Sequence, residues 1–231
     1  MTLHVNATRL KDDIQSLAAV GRREDLGIYR MAFSEGDRAG RSWVKEKLND
    51  AGIEIYEDGA ANLHGRLEWD GSRPSVMTGS HLDTVPGAGH LDGALGVVDV
   101  LECLRSINVE NIPVQYAMVL ISFSDDEGRF VGMLVSKSFC GMYTPESIHI
   151  AVDLDGISLT EAMQQCGYSA MEALHARRSP ESIHAFVELH IEQVPILDQM
   201  GFKFGVVDAI AGLFKWYISL IGVPNHAGTT P

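Results

Sequence analysis

Apolar side chains recur at every third or fourth position in three stretches of the chain, a spacing typical of helices that bury one face. These stretches are residues 8–22, 36–51 and 93–107. The second one ends at Gly52, and glycine adopts the left-handed conformation of a helix cap at little cost. The pattern therefore predicts three helices in the first half of the chain.

Short apolar runs bounded by polar or glycine-containing turns predict strands at residues 53–56, 62–67, 75–78 and 114–123. The third run leads into the polar turn 79–81, and the fourth ends abruptly in an acidic segment. Strands that alternate with helices favour an α/β fold, in which a mixed, partly parallel sheet is flanked by helices. Open sheets of this kind bind ligands at the carboxyl ends of their strands, where these polar segments fall.

A polar stretch at residues 160–182 separates these elements from two further apolar runs, at 183–191 and 213–221. The last run follows Gly212, and we predict a domain boundary near residue 210. The predicted domains are therefore 1–210 and 211–231.

The charge balance is acidic, since 31 Asp and Glu residues outnumber 18 Lys and Arg residues and give a formal net charge of -13. Such a charge repels nucleic acid and anionic membrane surfaces. No apolar stretch approaches the ~18 residues of a membrane span, and no basic cluster precedes an apolar run at the amino terminus. We expect a cytoplasmic protein that binds neither nucleic acid nor a membrane. The three cysteines are widely spaced without a CxxC pair, which argues against a disulfide framework or a thiolate zinc site.

Four potential metal ligands stand at predicted strand ends or in loops: His81, Asp92, Glu127 and His190. Imidazole and carboxylate groups in this combination suit Zn²⁺, Mn²⁺ or Co²⁺, and a carboxylate between two ions can bridge them. Asp83 would, on a strand, point to the same side as His81 and could accept the second N–H of its imidazole. Two ions would lower the pKa of a shared water and polarise a carbonyl, the two effects that amide hydrolysis needs.

Each of these residues alone has a structural explanation. A single histidine near a strand end is more often structural or on the surface, and Asp92-Gly93 is a common turn dipeptide. The acidic segment at 124–128 is typical of a solvated loop. Since all of these explanations would have to hold at once, the combination favours a dinuclear metal site.

Five longer motifs extend over nearly the whole chain: YRMAFSEGDRAGR at 29–41, GSHLDTVPGAGHLDGALGV at 79–97, SFSDDEGRFVGMLVSKSFCG at 122–141, ELHIEQVPILDQMG at 188–201 and PNHAGTTP at 224–231. With these motifs the chain resembles the hydantoinase/carbamoylase branch of the M20 metallopeptidase-like amidohydrolases. That branch includes N-carbamoyl-L-amino acid hydrolases and allantoate amidohydrolases. The resemblance implies a zinc-peptidase-like α/β catalytic domain, here incomplete, with a smaller α+β dimerisation domain, the lid, inserted into it from about residue 211.

The resemblance also implies a role for each candidate residue. His81 and His190 bind one metal ion, and Asp92 bridges both ions. Glu127 binds the second ion, and Asp126 falls at the position of the general base. The implied cofactors are two divalent metal ions, either zinc or manganese, cobalt or nickel.

Substrate contacts are implied as well. Gln193 contacts the ureido or carbamoyl group, while Asn225 and His226 of the lid reach the substrate across a homodimer. His226 then steadies the developing oxyanion. The implied partner is a small ureido or carbamoyl compound.

Three features of the chain depart from the family pattern. Asp126 stands where the family has glutamate, which retracts the carboxylate by roughly 1.5 Å, and such a displacement can cost about a hundredfold in rate. Val194 replaces a glycine, and a β-branched side chain is a poor substitute if that position has a positive φ. The chain also ends within the lid at Pro231, before the family's last metal-binding histidine and its carboxylate-binding arginine. We expect a truncated chain whose exposed apolar edges call for a complementing chain.

The main hypothesis is metal-dependent hydrolysis of a linear amide C–N bond in an N-carbamoyl amino acid, allantoate or a related ureido acid. The alternative within the same chemistry is an M20-type dipeptidase or aminoacylase. A third alternative, from another class, is a truncated and catalytically inactive remnant or subunit.

Overall fold

The computed structural model describes residues 4–130, 134–212, 216, 218–219 and 221–228. The chain divides into two compact units, Met1–Ile191 and Glu192–Pro231. The domain boundary predicted near residue 210 stays a prediction. The apolar run predicted at 213–221 lies partly outside the described residues, at positions 213–215, 217 and 220.

Five strands form the sheet of the first unit: β1 (Glu54–Glu57), β2 (Leu63–Leu67), β3 (Ser75–His81), β4 (Ala117–Phe123) and β5 (Ile183–Val187). They lie in the order β1-β2-β4-β3-β5. The β1–β2 and β2–β4 pairs are antiparallel, whereas β3 is parallel to both β4 and β5. The carboxyl ends of these three parallel strands therefore meet at one edge, and the predicted mixed, partly parallel sheet is confirmed.

The three predicted helices are present as α1 (Ala7–Ala19), α2 (Glu35–Asp50) and α3 (Ala94–Val109). The side chains of Asn6 and Ser34 cap α1 and α2 by accepting hydrogen bonds from backbone N–H groups of the first turn. The shorter helices α4 (Leu134–Phe139), α5 (Pro145–His149), α6 (Leu159–Gln165) and α7 (Ile196–Met200), and two 3-10 turns at Ala170–His175 and Pro180–Ser182, were not predicted. Elements of three to seven residues are too short to show a helical period.

Alternate residues of β4 face opposite sides of the sheet, as strand geometry requires. Leu120 packs with apolar residues of α1, α2 and α3, including Leu17, Leu48 and Leu101. Ile121 faces the other side, in a smaller cluster that Phe139 of α4 joins. Apolar side chains thus cover both faces of the sheet.

Two strand limits differ from the sequence prediction. β3 does not stop before the turn predicted at 79–81 but continues through His81, because residues 79–81 pair in parallel with 121–123 of β4. β5 stops at Val187, short of the apolar run that reaches residue 191. No helix among the described residues is both long and apolar enough to cross a lipid bilayer.

Candidate metal centre

The topology of the sheet gathers three of the predicted ligands at the carboxyl edge. His81 is the last residue of β3, and His190 follows the end of β5 by three residues. Asp92 directly precedes Gly93, the residue that caps α3. Because β3 and β5 are parallel neighbours, the two histidines arrive at the same place although they are 109 positions apart.

One donor atom from each of His81, Asp92 and His190 lies within 4.8 Å of the other two. The Nε2 atom of His190 is 3.3 Å from a carboxylate oxygen of Asp92. The two imidazole rings are 6.0 Å apart between centroids and inclined by 30°. Within the part of the chain that the structure describes, this is the group that could hold a metal ion.

Backbone carbonyls orient both imidazoles in the same way. The Nδ1 atom of His81 lies 2.9 Å from the carbonyl oxygen of Asp83, and that of His190 lies 2.8 Å from the carbonyl oxygen of Ile191. An Nδ1–H that donates to a carbonyl leaves Nε2 as the lone-pair nitrogen, the form in which histidine binds metals. Both side chains therefore present Nε2 as a ligand atom.

The prediction that the Asp83 carboxylate accepts the second N–H of His81 is wrong, because the backbone carbonyl of Asp83 lies in that position. Its carboxylate lies farther from the imidazole, with Oδ1 at 3.7 Å from Nδ1, because Asp83 comes after the end of β3 and not on it. The other carboxylate oxygen accepts a hydrogen bond from the backbone N–H of Glu127 at 3.0 Å. Asp83 thus contacts both the end of β3 and the loop that follows β4.

The loop after β4 adds two more carboxyl groups to the site. The Asp126 carboxylate lies 3.9 Å from Nε2 of His81. Glu127 is not a member of the three-residue group, but burial and the neighbouring carboxylates of Asp92 and Asp126 raise its pKa. Burial lowers the pKa of His81, yet the carboxylates of Asp83 and Asp126 outweigh burial and raise it.

These groups fit a divalent cation. Burial raises the pKa of Asp83 to about 7, with further contributions from nearby carboxylates. Its Oδ1 atom is buried and makes no hydrogen bond among the described residues. Four carboxyl groups converging on two imidazoles repel one another until a cation neutralises them, and nitrogen and oxygen donors suit zinc and its first-row neighbours.

Gly93 lies against the imidazole ring of His81. Its φ of 62° is unfavourable for other residues, and a Cβ atom at this position would come within 2.5 Å of the His81 ring. Glycine here allows the Asp92 carboxylate and the His81 imidazole to approach each other. The sequence marked Asp92 as a candidate ligand, but it gave no sign that Gly93 lies so close to the His81 ring.

Sequence reasoning also missed Arg30, whose side chain is fully buried. Its Nε donates to the carbonyl of Leu82 at 3.0 Å, and Nη1 lies within reach of the carbonyls of Leu17 and Val20. Burial lowers its pKa to about 10, while the negative charges of Asp37 and Asp83 act in the opposite direction. Arg30 therefore fixes the peptide that joins Leu82 to Asp83. No pattern of apolar positions could have revealed a buried cation.

The predicted substrate contacts belong to the second unit. Gln193 and the pair Asn225 and His226 are exposed there, and the side chain of Asn225 accepts a hydrogen bond from the N–H of His226 at 2.8 Å. The positive φ in this region is found at Gln193, with 65°, and not at Val194. Val194 is therefore not strained in the way that its replacement of glycine suggested.

A family model described as Peptidase family M28 matches residues 62–205, and the chain belongs to this family. The matched range contains all four predicted metal ligands. It begins at the turn before β2 and runs past α7.

Relatives define a narrower branch. The chain is 37% identical to an N-carbamoyl-L-amino acid amidohydrolase of Geobacillus stearothermophilus over 98% of its own length and 56% of that protein. It is 32% identical to an allantoate deiminase of Arabidopsis thaliana, over 92% of this chain and 43% of the relative. The chain thus spans about half the length of the curated relatives it matches.

A solved structure supports the same branch. The crystal structure of a hydantoinase/carbamoylase family amidase from Burkholderia ambifaria superposes with a TM-score of 0.78 at 32% identity. The match covers 86% of this chain and 48% of that one. The resemblance to the hydantoinase/carbamoylase branch is confirmed, although the matched family model carries the M28 and not the M20 designation.

Proposed function

We propose that this chain is the metal-binding part of an amidohydrolase that cleaves a carbamoyl or ureido C–N bond. The observation that carries the proposal is the convergence of His81, Asp92 and His190 within 4.8 Å at the carboxyl edge of the sheet. The names of the relatives, an N-carbamoyl-L-amino acid amidohydrolase and an allantoate deiminase, supply the substrate class.

We propose that these residues bind two divalent ions, either zinc or manganese, cobalt or nickel. His81 and His190 would hold one ion, Glu127 would hold the other, and Asp92 would contribute to both. When bound, the ions supply Lewis acidity that polarises the scissile carbonyl and makes water more acidic. Four nearby carboxyl groups are consistent with a total charge of more than one cation.

The protein's own residues handle the proton and the orientation. The Asp83 carbonyl keeps the proton of His81 on Nδ1, so that Nε2 remains a ligand. Asp126 would take the proton of the attacking water on its carboxylate, which lies 3.9 Å from Nε2 of His81. We further propose that Gln193, Asn225 and His226 contact the substrate, with His226 at the developing oxyanion in a homodimer, and that the enzyme works in the cytoplasm.

Metal content and ammonia release test this proposal together. We expect purified protein to retain zinc, manganese, cobalt or nickel by mass spectrometry, and to release ammonia from allantoate or from N-carbamoyl-L-amino acids. His81→Ala, Asp92→Ala and His190→Ala should each lower the metal content. His175→Ala is the matched control, because His175 is exposed and pairs only with Glu172 among the described residues. Unchanged metal content in His81→Ala and Asp92→Ala would refute the site.

A peptidase is the second candidate, because the matched family is named for peptidases. A panel of dipeptides and N-acyl amino acids, assayed beside the ureido compounds, separates the two activities. Preference for a peptide or acyl bond would replace the carbamoyl proposal while leaving the metal site intact. Metal binding without turnover of any of these compounds would favour an inactive subunit.

A further inference from the structure

Arg41 on α2 is a buried cation with partners in three other segments. Only 5% of its surface is exposed, and a buried guanidinium is costly unless it is paired and hydrogen-bonded. Its Nη1 donates to the hydroxyl of Ser124 at 2.8 Å. Its Nη2 donates to the Glu57 carboxylate at 2.5 Å and lies 3.3 Å from the Tyr168 hydroxyl. Burial lowers the pKa of Arg41, but the charges of Asp37 and Glu57 raise it above the ordinary value.

Ser124 connects Arg41 to the loop of the metal centre. It is the first residue after β4, it is buried, and its hydroxyl donates to the carbonyl of Ala61 at 2.7 Å. The next residue, Asp125, has a φ of 56°, which is unfavourable for a side chain with a Cβ and persists only where the surroundings hold it. Asp126 and Glu127 follow directly.

We propose that Arg41 is a positioning residue: through Ser124 it fixes the start of the 124–128 loop and so holds Asp126 and Glu127 at the metal centre. This inference rests on the proposed metal-dependent function. The hydrogen bonds of Arg41 go to Ser124, Glu57 and Tyr168, and we infer that it acts on the metal centre through the loop. A guanidinium suits this role because its rigid fork donates to Ser124 and Glu57 at the same time.

Lys45 provides a matched control on the same helix. It lies one turn beyond Arg41 and donates to the same carboxylate of Glu57 at 2.7 Å, whereas the hydrogen bond to Ser124 comes from Arg41. Removing Lys45 therefore removes a charge pair with Glu57 and leaves the loop contact in place. A comparison of the two positions separates the positioning role from a general loss of charge.

The experiment uses the full chain and measures zinc affinity by competition with a chromophoric chelator, and amide hydrogen exchange of residues 124–128. We expect Arg41→Met and Ser124→Ala to weaken zinc binding by about 10- to 100-fold, as for other supports of metal ligands. Both should speed exchange in the loop. Arg41→Lys should restore part of the affinity, whereas Lys45→Met should stay within about twofold of wild type because its pair is half-exposed.

Two outcomes would refute the positioning role of Arg41. If Ser124→Ala leaves zinc affinity and loop exchange unchanged, the positioning role is refuted, even if Arg41→Met does not fold. The same holds if Lys45→Met weakens zinc binding as much as Arg41→Met does. If wild-type protein binds no zinc, cobalt or manganese, the proposed metal-dependent function fails first, and loop exchange in Ser124→Ala still tests whether Arg41 orders the loop.

Discussion

The backbone N–H of Glu127 donates a hydrogen bond to the carboxylate of Asp83 at 3.0 Å. This bond joins the segment after β3 to the loop after β4. Since the carbonyl of Asp83 also accepts from the His81 imidazole, one residue holds a proposed ligand from each of two strands. The candidate metal centre therefore depends on contacts made by groups that do not bind the metal themselves.

Replacement of Asp83 tests this dependence. We expect Asp83→Ala to lower zinc affinity by about 10- to 100-fold, because the N–H of Glu127 loses its acceptor. Asp83→Asn should lower zinc affinity less than Asp83→Ala does, since the amide oxygen can still accept the hydrogen bond from Glu127. Asp70→Ala is the control, because its exposed carboxylate also accepts a backbone N–H, from Ser72, but in the loop that precedes β3, whereas His81 ends that strand. Equal zinc affinities of wild type and Asp83→Ala in a chelator competition would contradict the prediction.

Gly93 should tolerate no side chain. We expect Gly93→Ala to cost about 1–3 kcal/mol of stability from its backbone conformation. It should also weaken zinc binding by at least about tenfold, because the new methyl group displaces the His81 ring. Gly89→Ala lies in the same loop, where an added methyl group meets no atom within 4 Å, and should change neither quantity. Thermal unfolding and zinc titration of both variants check the prediction, and a normal zinc affinity of Gly93→Ala would show it to be wrong.

Asp153 should contribute stability that disappears in acid. Burial alone raises its pKa, but hydrogen bonds from the N–H of Ile157 and from Arg129 outweigh burial and lower it. A lowered pKa means that the stabilisation is fully present above the unfolded value of about 3.9 and is lost as the pH falls through the lower, folded value. We expect Asp153→Asn to be less stable than wild type by about 1–2 kcal/mol at pH 7.

Urea unfolding between pH 7 and pH 3 measures this effect. The difference between wild type and Asp153→Asn should shrink as the pH falls below about 4, because the wild-type carboxylate is then protonated as well. Asp155→Asn, an exposed neighbour, should behave like wild type throughout. If the difference in unfolding free energy between wild type and Asp153→Asn stays constant with pH, the charge of Asp153 contributes nothing to stability.

Lengthening the proposed base should increase turnover. The Asp126 carboxylate lies 3.9 Å from Nε2 of His81, and one added methylene extends its reach by roughly 1.5 Å. We expect Asp126→Glu to raise the rate of ammonia release by about 10- to 100-fold without a similar change in KM. Asp155→Glu adds the same methylene at an exposed position and should have no effect. A lower rate in Asp126→Glu would argue that the shorter carboxylate is the better base.

The sequence by itself determined the long elements and indicated a candidate metal site. α1, α2, α3 and β1 to β4 follow from apolar spacing that local backbone geometry imposes, and their limits were predicted to within a few residues. The ligand set was recognisable because imidazole and carboxylate groups at strand ends have few structural uses in combination. The short helices α4 to α7 were missed because five to seven residues carry no clear period.

Only the tertiary structure decided how the site is held together. Arg30 and Arg41 are charged residues that a linear pattern assigns to solvent, yet both are buried because distant carbonyls, carboxylates and a hydroxyl surround them. The end of β3 beside β4 decides two contacts of the His81 ring. One is its hydrogen bond to the Asp83 carbonyl, and the other is the close approach of Gly93. Such contacts join residues far apart in the chain, and burial and pairing are properties of the folded neighbourhood and not of local sequence.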